Sequence, residues 1–161
     1  MTPRRRVLLV VAVVAAAWAL GGEWVSITHH VPKNHFIDLL GGLSFLASGI
    51  VALDRRPGNA IGLLPVAFGF IWYLRNWSGL GIPGLTALGA ISGNLGPPLL
   101  VQITLAYPTG RLGSAFDRVV VGIVYAAAGG ASAVGLLKFT GPRFPGQLTR
   151  ATARGGTRRR P

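Results

Sequence analysis

The chain has 161 residues, half of them apolar and only 12% charged, and a formal net charge of +12. A soluble domain carries about 25% charged residues, so water is the wrong solvent for most of this chain. The basic residues gather at the two ends and between apolar runs, which suits anionic lipid headgroups better than nucleic acid, and with no cysteine there is neither a disulfide framework nor a Cys-based zinc or redox site.

In chain order, positions 1–6 read as a basic cytoplasmic N-terminus, 7–137 as a transmembrane helical domain and 138–161 as a basic, disordered tail. Five runs are long enough to cross a hydrocarbon core of about 30 Å, which takes roughly 20 helical residues. They are Val7 to Val25, Phe36 to Leu53, Ala60 to about Leu80, Leu85 to Tyr107, and Val119 to Leu137. The expected fold is therefore all-α, a polytopic transmembrane helix bundle of about five spans. The first run also has the layout of a signal peptide, with Arg4 to Arg6 as its basic region and Ala17-Trp18-Ala19 as a cleavage site. Apolar character continues past that site, which favours a retained span. In the third run Arg75 and Asn76 interrupt the pattern, and Trp72, Tyr73 and Trp77 surround that end as an aromatic belt would. An arginine so placed can snorkel to the interface.

Orientation follows from the cations. With the N-terminus inside, Arg4, Arg5, Arg6, Arg55, Arg56, Arg111 and Arg118 fall on the cytoplasmic side, against Lys33 and Arg75 outside, as the positive-inside bias requires. The expected location is the cell membrane, multi-pass. The arginine-rich tail breaks the rule, because five spans place it outside.

Helices in lipid associate through close backbone approach. Gly89 and Gly93 form a GxxxG in the fourth run, and Gly122, Ala126 and Gly130 form a small-residue stripe in the fifth. These are the candidates for packing, within the chain or against a partner helix or a second copy. Pro97-Pro98 should kink or break the fourth helix, since neither can donate a backbone hydrogen bond. Asn94 beside them is expected to satisfy backbone or a neighbouring helix.

Catalytic chemistry is not visible. No nucleophile, base and orienter stand together, and no glycine-rich loop has the strand-before, helix-after setting of a phosphate cradle, so no enzyme activity, cofactor or metal is expected. His29, His30 and His35 lie in the first outer loop near Glu23 and Asp38, but their spacing matches no metal pattern and they are expected to be solvated. Asp38, two residues from that loop, should reach water; facing a water-filled cavity, it or Asn94 would instead speak for a transporter-like subunit.

Two short basic loops are more distinctive. One is Asp54-Arg55-Arg56-Pro57-Gly58-Asn59; the other runs from Tyr107-Pro108-Thr109-Gly110-Arg111-Leu112 to Asp117-Arg118. Pro108 presets one turn dihedral and Gly110 tolerates positive φ, so the second loop should turn sharply. Ser114 with Asp117 three residues later is similar to a capping box that starts the fifth helix. Arg111 and Arg118 can then meet phosphate headgroups.

The run Leu105 to Leu112 with Ser114 and Asp117-Arg118 resembles the cytoplasmic loop in the membrane-spanning sensor region of actinobacterial two-component histidine kinases. Arg55-Arg56-Pro57-Gly58-Asn59 with Ile61-Gly62 looks like the earlier loop of the same region, and the resemblance covers roughly Val7 to Leu137. It implies a sensory membrane region. Kinases of this kind continue into a dimerisation helix pair with a phosphoaccepting histidine and an ATP-binding domain, and neither has a counterpart in this sequence. The resemblance therefore implies a truncated or orphan sensor region without a catalytic domain, the tail looking like GC-rich readthrough in a wrong frame or a relic of truncation. The alternative is a small stand-alone membrane protein that binds a partner helix or lipid.

Overall fold

A computed structural model describes residues 2–56 and 58–140. Among them every regular element is helical: α1 (Pro3–Thr28), α2 (His35–Arg55), α3 (Leu63–Trp77), α4 (Pro83–Ala106) and α5 (Ala115–Thr140), with 3-10 turns Ala60–Gly62 and Ser78–Leu80 on either side of α3. The all-α fold expected from the apolar runs is what forms. Three helices are long and apolar enough to cross a membrane, namely α1, α2 and α5. The α part of α3 has only 15 residues, and α4 carries Asn94 and both prolines within its length. Residues 138–140 close α5, and the rest of the expected tail lies outside the described residues, as does Pro57.

The starts of α1, α2 and α5 are set by side-chain caps rather than by where apolarity begins, whereas α3 and α4 start without one. Thr2 accepts from the Arg5 N–H ahead of Pro3, and the Asn34 side chain accepts from the Ile37 N–H at 3.1 Å. At α5 the capping box forms as its spacing suggests: the Asp117 N–H donates to Ser114 Oγ at 3.0 Å, and the Ser114 N–H donates to Asp117 Oδ2 at 2.9 Å.

The break expected at Pro97-Pro98 does not occur, because α4 runs through both prolines as one helix. Each proline lacks the N–H that would bond the carbonyl four residues earlier, that of Gly93 for Pro97 and that of Asn94 for Pro98, and the helix continues on the hydrogen bonds to either side. Pro98 is buried and Pro97 is exposed.

Helix α3 packs on α1, α2 and α4, while α5 packs on α4. The core of the first three helices is small residues against aromatic ones, with Ala15, Ala19, Leu46 and Tyr73 at its centre. Closest approach comes at glycines outside the GxxxG and the α5 stripe. A Cβ on Gly49 would lie 2.6 Å from the Gly62 carbonyl oxygen, and one on Gly62 would lie 2.6 Å from that of Gly49. Gly42 sits against the Tyr73 ring and Gly69 against Leu46, so α2 and the α3 segment each offer two glycines seven residues apart. That spacing is two turns of one helix face.

Of the expected packing residues, Gly89 is buried against Ser78 and Arg75. A Cβ on Gly93, Gly122 or Gly130 would meet nothing within 4 Å among the described residues, and Ala126 is exposed, so the α5 stripe faces away from this bundle. Two side-chain bonds lace α5 to α4: Asn94 Nδ2 donates to Ser132 Oγ at 3.1 Å, and the Tyr125 hydroxyl donates to Gln102 Oε1 at 2.8 Å.

Candidate functional site

Antiparallel packing sorts the polar residues to two ends of the bundle. At the basic end, the Arg4 guanidinium donates to the Leu53 and Asp54 carbonyls, and Arg5 Nε lies 4.0 Å from Asp54 Oδ1. Here the two basic loops dock on one another. Asn59 Nδ2 donates to the Pro108 carbonyl at 2.8 Å, while Asn59 Oδ1 accepts from the Ile61 N–H at 2.9 Å and caps the 3-10 turn. Tyr107–Pro108 is cis. Gly110 has φ of 76°, and a Cβ there would lie 2.6 Å from the Ile61 nitrogen. The site therefore demands glycine twice, for the left-handed backbone and for the approach of the other loop.

Around this junction Arg55, Arg56, Arg111 and Arg118 are exposed, and Asp117 is held in its capping box. The first three guanidiniums make no hydrogen bond or ion pair among the described residues, and Arg118 Nε donates to the Ser114 carbonyl at 3.4 Å. Their positions suit phosphates outside the protein. The structure thus brings together Pro108 and Gly110 with Asn59, a loop residue whose joining role the sequence did not disclose.

The opposite end carries a buried polar knot. Lys33 Nζ donates to Glu23 Oε1 at 2.7 Å, to Asn76 Oδ1 at 3.0 Å, and to Asp38 Oδ2. Asn76 Nδ2 donates to Glu23 Oε1 at 3.1 Å and to Asp38 Oδ2 at 3.2 Å, and Trp72 Nε1 donates to Asp38 Oδ1 at 3.1 Å. His35 Nδ1 lies 2.9 Å from Glu23 Oε2. The side chains of Glu23, Asp38 and Lys33 are 6%, 11% and 13% exposed, so the charges compensate one another with little help from water. Just below, the Tyr73 hydroxyl donates to the Leu39 carbonyl at 2.6 Å, and Trp77 stacks on Trp18 with ring centroids 4.8 Å apart.

Several expectations change at this end. Asp38 does not simply reach water; it is held by Lys33, Asn76 and Trp72. Of the histidines, His29 and His30 are exposed, but His35 is engaged by Glu23. Tyr73 is a core residue rather than part of an interfacial belt, whereas Trp72 does face outward in part. Among the described residues no His, Asp and Glu side chains group as a metal-binding set.

Comparison with family models, with curated proteins and with solved structures finds no match.

Proposed function

We propose that this chain is a multi-pass integral membrane protein whose helical domain acts as a sensory membrane region of the kind found in actinobacterial histidine kinases. The observation that carries this reading is the docking of the two resemblance-bearing loops through Asn59, Pro108 and Gly110, at the same end as the basic N-terminus. A signal received at the knot, which ties α1, α2 and α3 together, has a packed route along those helices to the junction.

Helix length supports five spans. From Ala60 to Leu80 the chain is helical throughout, and at about 1.5 Å per α residue and ~2.0 Å per 3-10 residue that stretch spans roughly 34 Å. The 24 residues of α4 reach about 36 Å. Both exceed a core of about 30 Å. With the N-terminus in the cytoplasm, the arginine-rich end lies inside and the knot outside.

The first test is extraction. The protein should stay in the membrane pellet after alkaline carbonate washing, and recovery in the soluble fraction would end the reading. The second fuses the chain to the dimerisation and ATP-binding domains of such a kinase and follows autophosphorylation. Breaking the junction with Asn59→Leu, or the knot with Asn76→Leu, should change the phosphorylation level of the chimera, whereas the chain without those domains should incorporate no phosphate from labelled ATP. A chimera indifferent to both substitutions would favour the second reading, a stand-alone membrane protein. That reading is supported by the outward face of α5, where Gly122, Ala126 and Gly130 are free to meet a partner helix or a second copy.

A further inference from the structure

Between α3 and α4 lies a cleft of about 230 Å³, lined by Phe68, Ile71 and Trp72 on one side and by Gly93, Gly96, Pro97 and Leu100 on the other, with Arg75 and Ser92 at one end. We propose that this cleft is a lipid site that holds the upper part of one acyl chain of an anionic phospholipid, with the phosphate on Arg75.

Three features choose this occupant. Arg75 is exposed at the last turn of α3, and its guanidinium makes no hydrogen bond or ion pair among the described residues, although the knot one turn away consumes every other charge at that end of the helix bundle. An arginine fork there matches a phosphate. The walls beyond it are apolar and run from Arg75 to Phe68, about 10 Å along α3 and so into the depth of a bilayer. The floor is open because residues 93 and 96 are glycines, and a Cβ on Gly96 would only touch Phe68 at 3.8 Å. A charged head over an apolar slot is the complement of an amphiphile, and a bilayer supplies phospholipid on every side. The inference needs the chain to be embedded in a membrane and does not depend on the sensory role.

Occupancy would be felt at the knot. Trp72 lines the cleft with its ring while its Nε1 donates to Asp38, so a chain packed on the indole bears on a carboxylate partner of Lys33.

Trp72 also supplies the readout. In the purified full chain reconstituted in bilayers, phosphatidylglycerol with brominated acyl chains should quench the fluorescence that Trp72→Phe removes, with an apparent affinity about fivefold above brominated phosphatidylcholine, the factor expected of one interfacial cation. Arg75→Gln should erase that preference, and Arg75→Lys should keep most of it. Gly96→Leu, which fills the slot but leaves the cation, should lower quenching by both lipids. Equal quenching by the two lipids in the unmodified chain, or a preference that survives Arg75→Gln, would overturn the proposal. So would quenching unaffected by Gly96→Leu, and Arg75→Gln, a change at an exposed position, decides the question if Gly96→Leu fails to fold.

Discussion

The two ends of the bundle are held together by opposite means. At one end two carboxylates, an ammonium, an imidazole and an amide interlock where water barely reaches. At the other a single neutral amide and a glycine join two loops, and the arginines around them remain in solvent. A buried charge network is stable only as a complete set, since removing one partner leaves an uncompensated charge at a cost of about 3–5 kcal/mol. A neutral junction fails in smaller steps. Geometry suited to all-or-none behaviour thus sits at one end and geometry suited to graded adjustment at the other.

The comparison breaks most sharply at Lys33. Replacing it with Met strands Glu23 and Asp38, so unfolding in detergent should show a loss of about 3–5 kcal/mol. A loss below about 1 kcal/mol would mean the knot is solvated after all. Next comes Gly110→Ala, which combines a left-handed backbone with a Cβ driven into the Ile61 nitrogen; it should cost about 2–3 kcal/mol. Proteolysis at the loops, faster than in the parent, should localise the damage to the basic end. Asn59→Leu removes a cap and one inter-loop hydrogen bond, so about 1–2 kcal/mol is expected in the same unfolding measurement. Smallest is Arg111→Gln. It should leave the melting midpoint in neutral detergent where it was while reducing the rise in that midpoint that added anionic lipid gives.

Local chemistry was legible in the sequence and assembly was not. Ser114 and Asp117 stand at the spacing of a capping box, and the box forms, because it needs only four consecutive residues. The apolar runs announce helices for the same reason. The knot draws Glu23, Lys33, Asp38 and Asn76 from three helices and a loop across 53 positions, and no local pattern encodes their meeting. GxxxG spacing marks one turn, whereas the glycine contacts fall at Gly42 and Gly49 against Gly62 and Gly69, two turns apart on each segment. Pro97-Pro98 does not end α4, because a proline removes only its own N–H from the ladder and the turns on either side keep theirs.

The account stands on the two ends lying on opposite sides of a membrane, and sidedness of single cysteines measures that directly. Gly58 and Gly113 suit the basic end, where a Cβ meets nothing closer than 3.9 Å, and exposed Pro32 suits the end that carries the knot. In intact cells a membrane-impermeant thiol reagent should label Pro32→Cys and spare Gly58→Cys and Gly113→Cys until the membrane is permeabilised. Labelling of Gly58→Cys at the rate of Pro32→Cys in intact cells would contradict it.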